Sequence, residues 1–534
     1  MSVSKNESLD LNGFIDNLRS TLSRIEQLSE DLEKSKNDTL IVEDSELEAE
    51  TPISSRRSSE VIANKYTNSF YEKYADEYVS FTINNPTIYH VVNYFVEKLT
   101  SKGYKFINEK DSWEGLTAGK YVTIRNGSSL LAFVVGKNWD ASKGVGVIGS
   151  HIDSLTVILK PNSTKNKVEG YELLGVAPYA GTLENVWWDR DLGVGGRLLV
   201  KDESGKIVPK LVDSSPNPIA HIPTLAPHFG TPAQGPFNKE TQAVPVIGFS
   251  TEEPAPATEE EKSSPLYGKH SINLIRYISK ISGVKASDIV QWDLQLYDVH
   301  PATKGGLNNE FIFAPRVDDR VCSFAAIYAL LEADTDSLLE SDSFSIVGLF
   351  DNEEIGSATR QGIKGGFIES AVSRVLASKY YNPKSLDVQE QIRLTYSNTI
   401  ILSADVNHLL NPNFESVYLE HHKPLPNKGV AIALDPNGHM ATDSTGLALV
   451  EELAKINKDE LQYFQIRNDS RSGGTIGPSI SLQTGARTID LGIPQLSMHS
   501  IRATVGSKDI GLGIKFFTGF FANWRKSYDN YKDL

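Results

Sequence analysis

Two adjacent glutamates, Glu353 and Glu354, come directly after an apolar run, FSIVGLF (344–350), that predicts a buried strand. A pair of acidic side chains where a strand ends can be nothing more than a solvated turn. The same side chains can bind a metal ion or accept a proton when other ligands lie close to them. The residues at the ends of the other predicted strands therefore decide between these interpretations.

Three further apolar runs predict strands, and each also ends in side chains that can bind metal. These are His151 and Asp153 after the first run (144–153), Asp318 and Asp319 after the second (310–320), and Asp405 and His408 after the third (399–408). His499 adds an imidazole near the C-terminus. Oxygen and imidazole donors without thiolate suit zinc, cobalt or manganese in a catalytic site. One ligand from each of the four strand ends, together with His499, makes five ligands, which are too many for one catalytic zinc and suit two metals that share a carboxylate.

The two glutamates can have different roles, because successive residues that leave a strand point in different directions. One can bind metal while its neighbour accepts a proton from water. Asp153, two residues after His151, can accept the second ring N–H of that histidine and so fix its tautomer. The residue types alone do not say which glutamate has which role.

The elements that position these side chains alternate between strands and helices. The second run leads into an apolar helical pattern, VCSFAAIYALL (321–331), and DNEEIGS (351–357) leads into another that contains Ile368 and Val372. Such alternation predicts an α/β domain with a mostly parallel mixed sheet flanked by helices. In sheets of this kind the ligand site lies at the carboxyl ends of the strands, where these acidic and histidine side chains are.

The first sixty residues differ from the rest. Apolar residues from Leu11 to Leu32, mostly three or four positions apart, predict one amphipathic helix. This helix either packs on the main body or associates with itself or with a partner. The acidic and then Ser/Arg-rich segment 41–60 predicts an exposed linker that proteases can reach.

The rest of the chain, from residue 61 onward, is predicted to form two domains. Residues 154–307 hold many Pro and Gly residues and an acidic low-complexity patch (250–265), and they predict a smaller domain inserted into the first. The catalytic domain would then comprise residues 61–153 and 308–534.

Composition excludes several classes of function. A net charge of -15 argues against nucleic acid or an anionic membrane as the main partner. The single cysteine, Cys322, excludes an internal disulfide and is expected to be a buried thiol in a helix. No apolar run reaches the about 20 residues of a membrane span, and the N-terminus has no apolar core of signal-peptide length. We therefore expect synthesis in the cytoplasm without a signal peptide, and no membrane insertion.

The chain after residue 65 resembles the dizinc aminopeptidase family that contains aspartyl aminopeptidase and vacuolar aminopeptidase I. Besides the strand ends, the motifs that carry the resemblance are NNPTIYHVV (84–92), NVWWDRDLGVGGR (185–197), IPTLAPHFG (222–230), SADVNHLLNPNF (403–414), SGGTIGP (472–478) and LSMHSIRA (496–503). The N-terminal extension makes the likeness closer to the vacuolar branch, in its precursor form. The resemblance implies a dizinc exopeptidase fold in which the inserted domain is β-rich and makes dimer contacts.

The resemblance also implies two zinc ions per subunit and a role for each candidate residue. By this resemblance His151 and Asp405 would bind one zinc, Glu354 and His499 the other, and Asp318 would be a ligand of both. Glu353 would be the general base, and Asp153 would orient His151. His408 would line the substrate pocket, and His228 would contact a neighbouring subunit's site. Glu353 would thus move the proton while Glu354 holds metal.

One segment departs from the family pattern. Aspartyl aminopeptidases carry a lysine in the segment that matches residues 434–443, where it pairs with the acidic side chain of the substrate. Asn437 occupies the matching place here, followed by Gly438 and His439. Without the lysine, a charge-assisted hydrogen bond of about 1.5–3 kcal/mol is lost. We expect Asn437 and His439 to lie near the substrate and neutral or apolar N-terminal residues such as leucine to be preferred; specificity for aspartate is the alternative.

Further partners are implied by the same resemblance. They are peptide substrates, a homododecamer with enclosed active sites, and a selective autophagy-type receptor that binds residues 1–40 and delivers the self-assembling precursor to the vacuole. Removal of the propeptide would fall within residues 40–60, where Arg56 and Arg57 offer one position. No nucleic-acid partner is expected.

Two rival functions remain. A related dizinc carboxypeptidase or deacylase would need nearly the same ligands. A non-catalytic cargo or assembly scaffold on this fold would work through its N-terminal helix. Such a scaffold has no need of five ligands and a general base, which argues against it.

Overall fold

The computed structural model describes residues 65–380 and 387–531, and this part of the chain contains eleven α-helices and twenty strands. The helices are α1 (Asn68–Asn84), α2 (Ile88–Ser101), α3 (Glu259–Lys262), α4 (Ile272–Ser282), α5 (Val317–Glu332), α6 (Thr335–Glu340), α7 (Phe367–Tyr380), α8 (Val388–Ser397), α9 (Ser444–Asn457), α10 (Gly477–Thr484) and α11 (Asp509–Tyr528). The helix and linker predicted within residues 1–60 lie outside the described residues.

The strands group into three sheets. They are β1 (Lys105–Phe106), β2 (Gly119–Arg125), β3 (Ser129–Val135), β4 (Gly146–His151), β5 (Thr156–Thr164), β6 (Tyr171–Tyr179), β7 (Leu192–Lys201), β8 (Ile207–Asp213), β9 (Val246–Phe249), β10 (Ile289–Asp298), β11 (Thr303–Gly305), β12 (Phe311–Pro315), β13 (Phe344–Phe350), β14 (Ile400–Ala404), β15 (Asn407–His408), β16 (Ala431–Leu434), β17 (Gln462–Gln465), β18 (Arg487–Gly492), β19 (Pro494–Leu496) and β20 (Arg502–Gly506). None of the described helices is long and apolar enough to cross a membrane.

The central sheet has nine strands in the order β1-β2-β3-β13-β4-β14-β18-β16-β17. The four strands in its middle, β13, β4, β14 and β18, run parallel to one another. Antiparallel pairs occur toward both edges, between β2 and β3, β3 and β13, and β16 and β18. The predicted α/β fold with a mixed sheet is therefore confirmed.

Apolar side chains explain why the middle strands lie inside. All residues of β4 and β13 are buried. Helices α1, α2, α5, α9 and α11 cover one face of the sheet, and α7 covers the other. A parallel sheet covered on both faces needs nearly continuous apolar strands, so its polar side chains concentrate at the strand ends. Cys322 lies in the first of these two layers and is buried, as predicted.

A second sheet of six antiparallel strands lies within residues 156–298, in the order β8-β7-β10-β5-β6-β9. It has its own apolar core, which contains Leu274, Ile275 and Ile278 of α4 together with strand residues such as Val194 and Leu296. This sheet falls within the region 154–307, where the sequence predicts an inserted β-rich domain.

A third sheet of five strands, β11-β12-β20-β19-β15, completes the fold. Its strand β15 carries His408, and the loop between β19 and β20 carries His499. This small sheet therefore positions two of the candidate site residues.

Candidate metal centre

The carboxyl ends of three neighbouring strands bring four candidate residues to one edge of the central sheet. β4 ends at His151, which lies opposite Phe350, the last residue of β13. Glu353 and Glu354 come after β13 in a short 3-10 turn. Asp405 comes directly after β14. These strands meet at the same edge because they are parallel, as the sequence predicts.

Asp318 approaches from the start of α5. Asp318 and Asp319 have non-helical backbone angles (φ -75°, ψ 114° and φ -113°, ψ 35°), so the regular helix begins only after them. Arg316, just before α5, is in the left-handed region with φ 57°. This irregular start of the helix places both carboxylates beside the strand ends instead of on the helix surface.

Asp318 lies between two histidines and directs a different oxygen to each. Its Oδ1 is 3.1 Å from His151 Nε2, and its Oδ2 is 3.6 Å from His499 Nε2. Asp405 Oδ1 is 3.5 Å from the same nitrogen of His151. Glu354 Oε2 is 3.9 Å from His499 Nε2. The five residues predicted as metal ligands thus form one cluster around Asp318.

The cluster has the properties of a metal centre. Ligand atoms of His151, Asp318 and Glu354 lie within 4.8 Å of one another, and so do those of His151, Asp319 and Asp405. Among the described residues, Glu354 Oε1 and Asp319 Oδ1 are buried without a hydrogen-bond partner. Buried carboxylate oxygens without a partner are costly, and a divalent cation would supply one. The donor set of imidazoles and carboxylates therefore fits zinc.

Burial and mutual repulsion dominate the electrostatics of the cluster. Burial, followed by the charge of Asp318, raises the pKa of Glu354 to about 10. Burial is also the largest cause that raises the pKa of Glu353 to about 7, with His151 opposing it and Asp405 adding to it. For His151, burial lowers the pKa, but Asp405 and other carboxylates raise it well above its usual value. The surrounding carboxylates therefore favour a positive charge at the position of His151.

Asp153 contacts the histidine and both glutamates. Its Oδ1 accepts the backbone N–H of Glu353 at 3.1 Å, and its Oδ2 accepts that of Glu354 at 3.2 Å. His151 Nδ1 is 3.4 Å from Asp153 Oδ1 and 3.1 Å from the carbonyl oxygen of Asp153. A proton on Nδ1 would leave Nε2 free to bind metal. Asp153 thus fixes the turn as well as the ring.

Two residues without a predicted role support the centre. The Tyr179 hydroxyl donates to Asp153 Oδ2 at 2.7 Å and accepts from Asn352 Nδ2 at 2.8 Å. Tyr179 ends β6 in the second sheet, so no local spacing links it to Asp153. Asp319, for which the sequence predicts no separate role, is fully buried, and its Oδ2 accepts from the Ser150 hydroxyl at 2.7 Å. In the sequence, the signal for Asp319 was its place in the Asp-Asp pair at the end of a predicted strand.

A cavity of about 380 Å³ opens beside the cluster. Its lining includes the five predicted ligands, Glu353 and His408, together with the apolar residues Val406, Ala433, Met440, Phe464, Leu491 and Met498. The rings of His408 and Phe464 are in contact, with centroids 5.0 Å apart. Burial, and next the charge of His499, lowers the pKa of His408 and so favours its neutral form.

Two residues predicted near the substrate, Asn437 and His439, are not part of this lining. Asn437 Nδ2 donates to Asp435 Oδ1 at 3.2 Å, and His439 Nδ1 contacts the other oxygen of the same carboxylate. Ala433 and Met440, on either side of this turn, line the cavity instead. A substrate contact stays a prediction for Asn437 and His439.

His228 lies away from the described cavity lining, in the short 3-10 turn Pro227–Phe229. The neighbouring apolar residues Leu225 and Phe229 are 40% and 66% exposed. An exposed loop with apolar side chains suits contact with another chain, which is the setting that the family resemblance implies for His228.

Comparison with known sequences identifies close relatives. The family model of M18 peptidases, described as aminopeptidase I zinc metalloprotease, matches residues 81–521. Vacuolar aminopeptidase 1 of Saccharomyces cerevisiae is 58% identical over 472 residues, which cover 87% of this chain and 91% of that protein. Aspartyl aminopeptidase of Aspergillus oryzae is 38% identical over 476 residues, which cover 84% of this chain and 95% of that protein.

Solved structures share the fold. The crystal structure of prApe1 matches with a TM-score of 0.83 at 57% identity, covering 86% of this chain and 97% of that one. The mApe1 dodecamer of Saccharomyces cerevisiae matches with a TM-score of 0.77 at 52% identity, covering 87% and 100%. The complex of Ape4 and Nbr1 matches with a TM-score of 0.79 at 33% identity, covering 88% of each chain.

Proposed function

The chain belongs to the M18 family of zinc aminopeptidases, and we propose that it releases neutral, mainly apolar residues such as leucine from the amino termini of peptides. Zinc and the hydrolase class follow from the family. One observation carries the finer proposal: the cluster of Asp318 and its four neighbours borders a cavity with six apolar side chains in its lining.

The five clustered residues are assigned to two zinc ions in this proposal. His151 and Asp405 would hold one, Glu354 and His499 the other, and Asp318 both. The distances around Asp318 support this division, since its two oxygens face different histidines. When bound, zinc supplies Lewis-acid activation of the scissile carbonyl and of water.

Glu353 is the proposed general base. It lines the cavity, and the bond from its N–H to Asp153 fixes its position beside the cluster. Glu353 takes a proton from the attacking water and passes it to the nitrogen of the leaving amine. Glu354 is held by the other oxygen of Asp153 and serves the metal.

Apolar residues support the preference for neutral substrates. Ala433, Met440 and Phe464 line the cavity beside His408. An apolar substrate side chain gains about 25 cal/mol per Å² that it buries against such residues. A charged side chain would lose its hydration against these three apolar residues, none of which can pair with its charge. Leucine is therefore the expected type of N-terminal residue.

Assembly is a second part of the proposal. One matched structure is a dodecamer, and we assign the same assembly to this chain. Residues 154–307 would be the inserted dimerisation domain of a catalytic domain formed by 61–153 and 308–534. His228 would reach the active site of a neighbouring subunit, and the exposed apolar loop around it supports this contact.

Delivery to the vacuole is the third part. The relative with 58% identity is a vacuolar enzyme by name, and prApe1 shares the fold. We assign to residues 1–60 the role of a propeptide. Residues 1–40 would cluster the assembled particles and bind an autophagy-type receptor; the complex of Ape4 with Nbr1 supports a partner of this kind.

A pair of matched peptides tests the reaction. We expect the zinc-loaded full chain to release leucine from Leu-Gly-Gly, and to act at least about 100-fold more slowly on N-acetyl-Leu-Gly-Gly, because the free amine is required. Release of acetate or of the C-terminal glycine would instead indicate a deacylase or a carboxypeptidase. No hydrolysis at all would favour the scaffold.

A further inference from the structure

Lys364 is the one lysine or arginine among the described residues that line the cavity. All other ionisable residues in this lining are carboxylates or histidines. A single cation in such a cavity can select a negatively charged group of the substrate. The position of Lys364 relative to Glu353 indicates which part of the substrate carries that group.

The backbone around Lys364 is held firmly. The carbonyl of Lys364 accepts a hydrogen bond from Gln483 Nε2 at 2.9 Å, and the next carbonyl, of Gly365, accepts from the buried guanidinium of Arg125 at 2.7 Å. Gly365 also lies so close to the carbonyl of Arg360 that a Cβ would collide with it. The segment that carries Lys364 is therefore a fixed platform and not a free surface loop.

The ammonium of Lys364 lies against the turn of the general base. Its Nζ donates to the carbonyl of Gly356 at 2.9 Å, and the N–H of Gly356 donates to the carbonyl of Glu353 at 2.8 Å. No carboxylate of the described chain forms an ion pair with it. Lys364 is exposed and lines the cavity, so its remaining hydrogens are available to a ligand.

The chemistry of the proposed reaction assigns this side of the cavity to the leaving group. Glu353 must reach the nitrogen of the leaving amine to protonate it, so the leaving peptide passes on the side of Glu353. The apolar residues that would receive the first side chain of the substrate come from other elements, namely β16, β17 and the turn after β16. Lys364 is thus beside the residue that comes after the scissile bond.

We propose that Lys364 binds a carboxylate of the leaving group. The carboxylate has two possible sources: the free C-terminus of a dipeptide, or an acidic side chain in the second residue of a longer peptide. A charge-assisted hydrogen bond to the ammonium would stabilise either one. The inference rests on the proposed aminopeptidase function and adds a preference at the second residue.

Two pairs of substrates separate the two sources. Leu-Gly and Leu-Gly-amide differ only in the terminal carboxylate, and Leu-Asp-amide and Leu-Asn-amide differ only in the side chain. We expect kcat/KM of the wild-type chain to favour the carboxylate member of at least one pair by about 10-fold. In Lys364→Met this ratio should fall to about 1, and in Lys364→Arg it should return to at least half of the wild-type ratio.

A matched control separates this contact from a general effect of charge. Lys120 Nζ also donates to a backbone carbonyl, that of Lys102, at 3.1 Å, but it lies on β2 outside the cavity lining. Lys120→Met should leave both ratios at their wild-type values. Equal ratios in the wild type and Lys364→Met would overturn this inference alone. Failure of the wild type to hydrolyse any of the four peptides would overturn the proposed function and this inference with it.

Discussion

The hydroxyl of Tyr179 donates a hydrogen bond of 2.7 Å to Asp153 Oδ2, and this bond connects the second sheet to the candidate metal centre. Asp153 in turn accepts the backbone N–H groups of Glu353 and Glu354. Desolvation by burial raises the pKa of Tyr179, and the charge of Asp153 raises it further, so the hydroxyl stays protonated and can donate. Tyr179 is therefore a positioning residue for the turn that carries both glutamates.

Removing this hydroxyl should slow the reaction without removing metal. We expect Tyr179→Phe to lower kcat about 10-fold, equivalent to about 1.4 kcal/mol, with KM changed less than 3-fold. Steady-state kinetics on a leucine substrate and zinc content of the same samples measure this. Tyr121→Phe is the control, since its hydroxyl donates to the carbonyl of Thr117 away from the cavity lining. An unchanged kcat in Tyr179→Phe would show that the bond has no role in positioning.

The division of labour between the two glutamates gives a second prediction. Glu353→Gln should lower kcat by about 10²–10⁴-fold while zinc content stays at the wild-type value, because general base catalysis contributes about this much. Glu354→Gln should lower zinc content. Activity of Glu353→Gln within one order of magnitude of the wild type, at full zinc content, would remove Glu353 from the mechanism.

The position of Asp318 between His151 and His499 predicts how zinc is lost. Asp318 faces both histidines, so Asp318→Ala should reduce bound zinc from about two ions per subunit to fewer than one. His499→Ala should retain about one. Metal analysis after dialysis against zinc-free buffer measures both. Two zinc ions retained by Asp318→Ala would contradict a shared ligand.

His270 predicts how stability depends on pH. Burial, and next the charge of Lys269, lowers the pKa of His270 from 6.5 to about 4, and its Nδ1 is 2.8 Å from the Ser163 hydroxyl. The unfolded chain therefore gains a proton before the folded chain does. The stability that neutral His270 contributes is present above pH 6.5 and is lost as the pH falls toward 4, up to about 3 kcal/mol over the whole window.

A substitution isolates this effect. Between pH 6.5 and 4.5, the Tm of His270→Gln should fall less than the Tm of the wild type, both measured by thermal unfolding with excess zinc. His221→Gln is the control for the loss of an imidazole as such, since the His221 side chain is 45% exposed. Parallel Tm curves for His270→Gln and the wild type would contradict the prediction.

The ligand cluster was predictable because the carboxyl ends of neighbouring parallel strands lie at the same edge of a sheet. An apolar strand buried on both faces has its polar residues at its ends, and the register of β13 and β4 sets Phe350 opposite His151. Ligands at the ends of neighbouring parallel strands therefore lie close together. His499 was the harder case, since it lies in a loop of the third sheet and was counted as a ligand by its residue type and not by a place at a predicted strand end.

Residues whose position depends on packing between sheets were not predictable. Tyr179 approaches Asp153 from the second sheet, and neither spacing nor periodicity relates the two. Matching of residue types predicts Asn437 near the substrate, and this stays a prediction; in the structure Asp435 holds Asn437 in a local turn, while Met440 lines the cavity. A turn of this kind is set by side-chain hydrogen bonds to the backbone, which an alignment by residue type does not contain.

The most direct test of the central claim compares Leu-p-nitroanilide with Asp-p-nitroanilide, with and without a chelator, on the full chain and on a chain that lacks residues 1–60. A zinc aminopeptidase with an apolar pocket should hydrolyse the leucine substrate at least about 10-fold faster, and the chelator should abolish the activity until zinc is restored. Faster hydrolysis of the aspartate substrate would contradict the assigned pocket. Activity that survives complete removal of metal would contradict the metal centre itself.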